Sequence, residues 1–516
     1  MKKEKKYLLT NKYFRVAIIL VFSASILYYF FFDLKKIGIR ILNPLKESDK
    51  ITLRIEPKNE KKLKEYSENY TIKKKKPIKK WVNIQIKNDG IYHNAKLKLH
   101  GSSAPHYWNS RNRNSYTLKL NSKSFSIDGK EKFKLIIDEE CDPSIITINN
   151  IANSFGLIAP KGIMKSLIIN DRNFGVYGFV EDICKDLLHK DYKINNCSIL
   201  SNTADWSRKE FKSTGVRHRS DFDLYHGHIS AKNSKSHPLA LGYYKLFCEH
   251  IKSGNIKALK EMIDLEYMGK YLAIASIFND VHFMTGDNLK FVFDFNSKLF
   301  YPIYRAENKA ARIPENKIAS FSEFNSFLFN SLDNENKQYS TSPNLEFFKL
   351  LLSDNELRNI RDKLLYNVII NFDDFLSKLE IDYHKNESIM IHSDLFNEKY
   401  KSIKKEQISI IKQTINVAKN YIDYGHIYGS FNLSDSTLNL ISDAFCTVKI
   451  TSKNNLFEEQ IINGIEFDKK LNLKYKYIDI KIKKHNIEDL VFVNMVTKDT
   501  IKKEHIYINK ILEIKN

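Results

Sequence analysis

The sequence predicts an α+β protein: a strand-rich first half, a helical middle and a small all-β unit at the end, behind one apolar N-terminal helix. Three observations lead there. Apolar and polar residues alternate with period two over stretches between about 81 and 138. From about 240 to 425 the apolar residues recur mainly at helical spacing, and after about 430 the period returns to two.

Taken in order, the first element is "VAIILVFSASILYYFFF" (16–32), uncharged and close to the minimum length for a spanning helix. Lys2, Lys3, Lys5, Lys6, Lys12 and Arg15 precede it with only Glu4 opposing. The positive-inside rule then gives a cytoplasmic tail (1–15), a single-pass anchor (16–32) and a main body outside the cytoplasm. A cleaved signal peptide is the alternative, but the run is long and lacks a small-x-small cleavage site. Residues 33–80, lysine-rich with "KKKK" at 73–76, read as a basic stalk.

The body follows. "WVNIQI" and "AKLKLHG" flank Asp89-Gly90, a two-residue hairpin signal. Ala95, Leu97 and Leu99 alternate with Lys96, Lys98 and His100, so one face is buried and the other wet. "SYTLKL" (115–120) and "KFKLIID" (132–138) continue the sheet. A helix spans 142–156, with Asp142 as N-cap, Pro143 at its first position and Gly156 ending it. Its core stripe reads Ile145, Ile148, Ala152 and Phe155. "MKSLIIN" and "GVYGFVE" (164–181) form a second hairpin. "LEYMGKYLAIASIFN" (265–279), apolar nearly all round, is a buried helix. "TLNLI", "CTVKIT" and "LVFVNMV" mark the tail, 431–516, as a β-rich domain after a body of 81–430.

Composition narrows the function less. A formal charge of +22 invites a polyanion, yet the surplus is almost all lysine, in a chain rich in Asn, Ile, Tyr and Phe, as an AT-rich genome writes by default. No aromatic-interleaved RNA motif or zinc spacing supports nucleic acid as a partner. Five cysteines without C-x-x-C leave free thiols or a Cys184–Cys197 pair open.

One constellation stands out. If 289–294 pairs with 299–304, Asn288 lies opposite Arg305, Glu307 lies just beyond, and Asp280 ends the buried helix eight residues earlier. On its own this reads first as a helix end, with Asp280 as a cap and Arg305 paired to an acid, because charged residues at element ends are common.

Several segments resemble the CotH kinase family, the atypical bacterial kinases of the spore-coat type. "KLHGSSAPHYWNSRNRNSYTLKL" (98–120) is similar to the family's R-G-N-S-S…K-K-S-Y-x-x-K-L stretch. Residues 142–182 resemble its helix, its hairpin and its "GvYxxxE", and 279–308 its "lDsyxxxxxNyyLY…fiPWDlD". The resemblance covers roughly 80–425 and implies a two-lobed, kinase-like domain that uses ATP and Mg²⁺. It implies Glu181 as the glutamate positioning a phosphate-binding cation, Asp280 as the catalytic aspartate and Asn288 as a metal ligand. Arg113 stands where the family has a lysine, and Tyr304-Arg305 where it has Trp-Asp. A cation there repels Mg²⁺, so Glu307 would supply the missing carboxylate, or Arg305 would hold an anion directly. The expected function is phosphoryl or nucleotidyl transfer to a surface protein or polymer of the bacterial envelope. The alternatives are an inactive scaffold binding a partner protein or anionic surface polymer, and a metal-dependent hydrolase using Asp280, His282 and Asp287.

Overall fold

In a computed structural model of the chain, the strands of the first half close on themselves. The structure describes Ser23 and residues 37–508, leaving out 73–77, 102–105, 108–112, 122–124, 202–203, 206–217, 220–227, 230–236, 280–288, 307–308, 311–342, 394–397, 455–457, 464–465, 468–472 and 476.

Seven strands form a barrel: β1 (Lys50–Arg54), β2 (Val82–Asn88), β3 (Ile91–Leu99), β4 (Tyr116–Leu120), β5 (Lys132–Ile137), β6 (Gly162–Ile169) and β7 (Arg172–Glu181). Their order is β1-β2-β3-β4-β5-β7-β6, closed by a parallel pairing of β6 with β1, Ile51 opposite Leu167. All other neighbours run antiparallel. Asp89 and Gly90 turn β2 into β3 with φ of 48° and 83°, the left-handed pair that matches strand twist. Alternation then decides which side is dry. Leu53, Ile86, Leu97, Leu118, Leu135 and Tyr177 fill the interior, each burial contributing about 1.5–3 kcal/mol. Helix α1 (Pro57–Thr71) lies on β2 and β3, anchored by Asn59 Nδ2 donating to Asn83 O at 2.9 Å.

Helix α2 (Pro143–Ser154) begins where Asp142 Oδ1 accepts from Ser144 N (2.8 Å) and Ile145 N (3.2 Å). It buries Ile146, Ile148, Ile151 and Ala152 and leaves the expected Ile145 and Phe155 half-buried. Two-sided packing explains the broader stripe: one side meets the outer wall of the barrel and the other the helical layer. Helix α3 (Lys185–Tyr192) follows β7. A second sheet takes β8 (Cys197–Ser201), β11 (His228–Ile229), β12 (Lys290–Asp294) and β13 (Leu299–Pro302) in the order β11-β8-β12-β13. Between β8 and β11 the two-residue strands β9 (Ala204–Asp205) and β10 (His218–Arg219) pair with each other.

The helical layer is α4 (His237–Ser253), α5 (Ile256–Lys260), α6 (Leu265–Phe278), α7 (Pro343–Ser353), α8 (Asn355–Ile370), α9 (Phe372–Met390) and α10 (Glu398–Asp423). Helix α6 is buried through most of its length and packs on α8. At Gly269 a Cβ would stand 2.5 Å from Ile360 Cγ2, so only glycine permits that approach. Arg361 and Asp362, both fully buried, pair with each other and with Tyr421 of α10, satisfying charges that would otherwise be costly there. Beyond α10 the chain forms β14 (Ile427–Asn432), β15 (Thr437–Ser442), β16 (Val448–Ser452), β17 (Gln460–Ile462), β18 (Glu466–Phe467), β19 (Leu473–Lys474), β20 (Tyr477–Lys481), β21 (Leu490–Asn494) and β22 (Ile506–Ile508). These give sheets β20-β15-β14-β22 and β17-β16-β21 around one core, with β18–β19 apart.

Two expectations are corrected. A closed seven-stranded barrel stands where the two-lobed kinase-like domain was expected, and among the described residues no helix is long and apolar enough to cross a membrane. That finding also overturns the single-pass localisation; the expected span 16–32 lies, Ser23 apart, outside the described residues. The stretch read as a stalk contributes β1 to the barrel and α1 as the helix packed against it. All five cysteines are free.

Candidate functional site

A two-residue turn builds the centre of the site. Ile127 and Lys130 exchange backbone hydrogen bonds (3.1 and 2.8 Å) across Asp128 (φ 50°) and Gly129 (φ 72°). The turn delivers Lys130 at the foot of β5. Its ammonium reaches Glu181, the last residue of β7, and Asp191 Oδ2 of α3 at 3.0 Å. Glu181 is fixed on its other side: its backbone N donates to Lys161 O at 2.8 Å, and its Oε2 accepts from Lys161 N at 3.3 Å. Lys190 Nζ of α3 donates to Gly129 O, holding the turn down. Burial pulls the Lys130 ammonium down, but the hydrogen bonds and charges of Glu181 and Asp191 outweigh it and hold its pKa above the ordinary lysine value. An ammonium has three donors, and the two carboxylates take two.

Beside this cluster lies a second. Asp182 takes Lys134 at 3.2 Å on Oδ1 and Lys132 on Oδ2. Burial works against its charge, but the two lysines overcome that and hold the carboxyl well below its ordinary range. His100, whose Nδ1 meets Thr117 Oγ1 at 3.2 Å, is held neutral chiefly by burial and then by Lys134.

The expected site residues divide. Glu181 pairs with a lysine, although with Lys130 rather than with a group near Arg113. Arg113 is 5% exposed and held by both terminal nitrogens: Nη2 with Asp138 and with Glu139 Oε2 (2.8 Å), Nη1 donating to Phe174 O and Val176 O at 3.3 Å. Val176 lies five residues before Glu181 on β7, so about 16 Å of strand separates the two positions. Arg305, half-buried, follows β13, whose register puts Phe291 opposite Pro302. Its neighbours are tied down, Tyr304 N donating to Ile158 O (2.9 Å) and Ala306 N to Asn149 Oδ1 (2.9 Å). Ile158 is three residues from Lys161, so Arg305 borders the connection that carries Lys161 to Glu181, within roughly 10 Å of chain. Asp280, His282, Asp287, Asn288 and Glu307 lie outside the described residues.

The chain matches no protein-family model and no curated protein.

Lys130, Lys161 and Asp191 are the residues that sequence reasoning missed. A signal was present: Asp128-Gly129 is a second Asp-Gly, and it places a lysine at the mouth of a hairpin. Chemically, Lys130 and Lys161 offer compact positive charge at the end of a barrel strand, with Glu181 fixing the geometry of the first. That is what a phosphate group needs from protein. Among the described residues no three His, Cys, Asp or Glu side chains gather to hold a metal ion.

Proposed function

We propose that the chain transfers a phosphoryl or nucleotidyl group, as its resemblance to the CotH kinase family implies. The observation that carries this reading is the Lys130–Glu181 pair. A glutamate at the end of a strand holds a lysine at the barrel rim, with one ammonium donor left for a phosphate oxygen. In this reading Lys130 receives the donor's phosphates, Glu181 positions it, and Arg305 adds a second positive contact. Asp280 orients the acceptor hydroxyl. The hydroxyl oxygen bonds to the transferred phosphorus, the bond from phosphorus to the leaving phosphate oxygen breaks, and the hydroxyl proton passes to the Asp280 carboxylate. Bound Mg²⁺ would supply charge neutralisation for the phosphates; Asn288, by the resemblance, and Glu307, two residues beyond Arg305, would be its oxygen ligands. Arg113 takes a structural part, tying β7 to the Asp138-Glu139 corner.

Calorimetric titration with ATP and Mg²⁺ tests this, with mass spectrometry for phosphate or nucleotide added to the chain itself or to added acceptors. Lys130→Met removes one charge-assisted contact and weakens nucleotide binding by about 10- to 100-fold. Absence of nucleotide binding in the wild type refutes the reading. A second reading, binding of phosphate groups without turnover, is favoured by the cation Arg305 at the position where the family resemblance expects a metal-binding carboxylate. It forecasts Mg²⁺-independent binding and no transfer.

A further inference from the structure

The outer face of β3, β4 and β5 carries lysines in register. Lys96 stands opposite Lys119, and Lys119 opposite Lys132; one step along, Lys98 and Lys134 flank Thr117. The alternate residues Leu97, Leu118, Phe133 and Leu135 are buried in the barrel, so all five ammonium groups stand on the outside. One carboxylate, Asp182, answers two of them, Lys132 and Lys134. Lys96 and Lys119 have no acidic partner among the described residues, and both are exposed. Among the described residues, Lys96 and Lys119 therefore add two positive charges to this face that no carboxylate offsets. Like charges directly opposite on neighbouring strands are unfavourable, their side chains rooted only about 4.5–5.5 Å apart. A sheet that stacks three in one row is shaped for an anion lying across it.

We propose that this face binds a linear phosphodiester polymer of the poly(polyol phosphate) type, its phosphates seated along the Lys96–Lys119–Lys132 row. Charge complementarity selects a polyanion. Lysine alone, with no arginine among the five, selects phosphate over planar carboxylate, because a compact ammonium binds tetrahedral oxygens as a point charge and lacks a fork for bidentate pairing. Single-stranded nucleic acid needs aromatic platforms for its bases. Trp81, at the edge of the face, is instead covered by Lys98, with Nζ 4.6 Å from the ring centroid. This site is separate from the Lys130–Glu181 cluster and does not depend on its activity.

The test uses the full chain and immobilised poly(glycerol phosphate), with oligothymidylate and polyglutamate as comparison polymers. Binding weakens with salt, and the slope of log K against log[salt] is about −2, the value for three phosphates on a flexible strand. Lys96→Gln/Lys119→Gln lowers affinity at least tenfold and flattens the slope towards that of a single contact, while nucleotide binding is unchanged. Both positions are exposed, and unchanged circular dichroism verifies folding. Lys96→Arg/Lys119→Arg, which keeps the charge, serves as the second variant and retains most of the affinity. No binding of poly(glycerol phosphate), or equal binding by the Gln variant, overturns the proposal. Equal or tighter binding of oligothymidylate or polyglutamate overturns the assignment of the polymer class.

Discussion

Replacing Arg113 with methionine separates the structural and phosphate-binding parts that an arginine at this position can play. The side chain is 5% exposed, and the carboxylate it holds, Asp138, is 1% exposed. Ser393 Oγ also bonds to Asp138. Removing the guanidinium takes a counter-charge away from that buried carboxylate and a donor away from the carbonyls of Phe174 and Val176. Breaking one side of a buried pair in this way costs about 3–5 kcal/mol. With a urea m-value of about 2 kcal/mol/M, the barrel's transition moves down by about 2 M. Far-UV circular dichroism against urea reads the shift, because the barrel holds most of the long strands. Asp138→Asn, added to Arg113→Met, removes the uncompensated charge and recovers part of the loss. Nucleotide binding measured below the transition stays at the wild-type value. A shift below about 0.5 M together with lost nucleotide binding would refute the reasoning, since it would put Arg113 on the ligand.

Three further outcomes follow from other contacts. Asp142→Ala removes the acceptor of two backbone N–H groups at the start of α2 and lowers stability by about 1 kcal/mol, read by thermal melting. Asp182 has a folded pKa below its ordinary 3.8, so the unfolded chain binds more protons. Its stabilisation is complete above about pH 5 and fades as pH falls through the unfolded and then the folded value. Lys132→Met/Lys134→Met removes that acid dependence, which an acid titration of unfolding would detect. His100 is held well below 6.5, so it too makes the fold weaken as pH drops below about 6.5. In His100→Gln the stability profile between pH 5 and 6.5 is flatter, and an unchanged profile would show that His100 does not titrate there.

How far the sequence could be read depended on whether the forces were local. Asp142-Pro143, Asp89-Gly90 and the alternation of Ala95, Leu97 and Leu99 act through neighbours in the chain, and the structure has them where the residues placed them. The buried helix over 265–278 was legible for the same reason. Strand β1 was not, because "KITLR" sits in a lysine-rich run and pairs with Ile168 and its neighbours far along the chain. No local period announces such a partner. Closure of the barrel was therefore invisible, and with it the fold class. At the site, Glu181 could be singled out by resemblance, but its lysine could not. The Lys130 contact spans 51 residues and depends on β5 lying beside β7. The partners of Arg113, Asp138 and Glu139, follow 25 and 26 residues later, and no local period announces them either.

The parallel seam between β1 and β6 sets a timetable for synthesis. Ile51 leaves the ribosome 116 residues ahead of its partner Leu167, and at about 5–20 residues per second that is roughly 6–23 seconds. Throughout that interval β2 to β5 can pair in sequence as each emerges, while β1 offers an edge with no partner. A nascent chain stalled before residue 162 is an open, sticky ribbon, and one released after β7 is sealed.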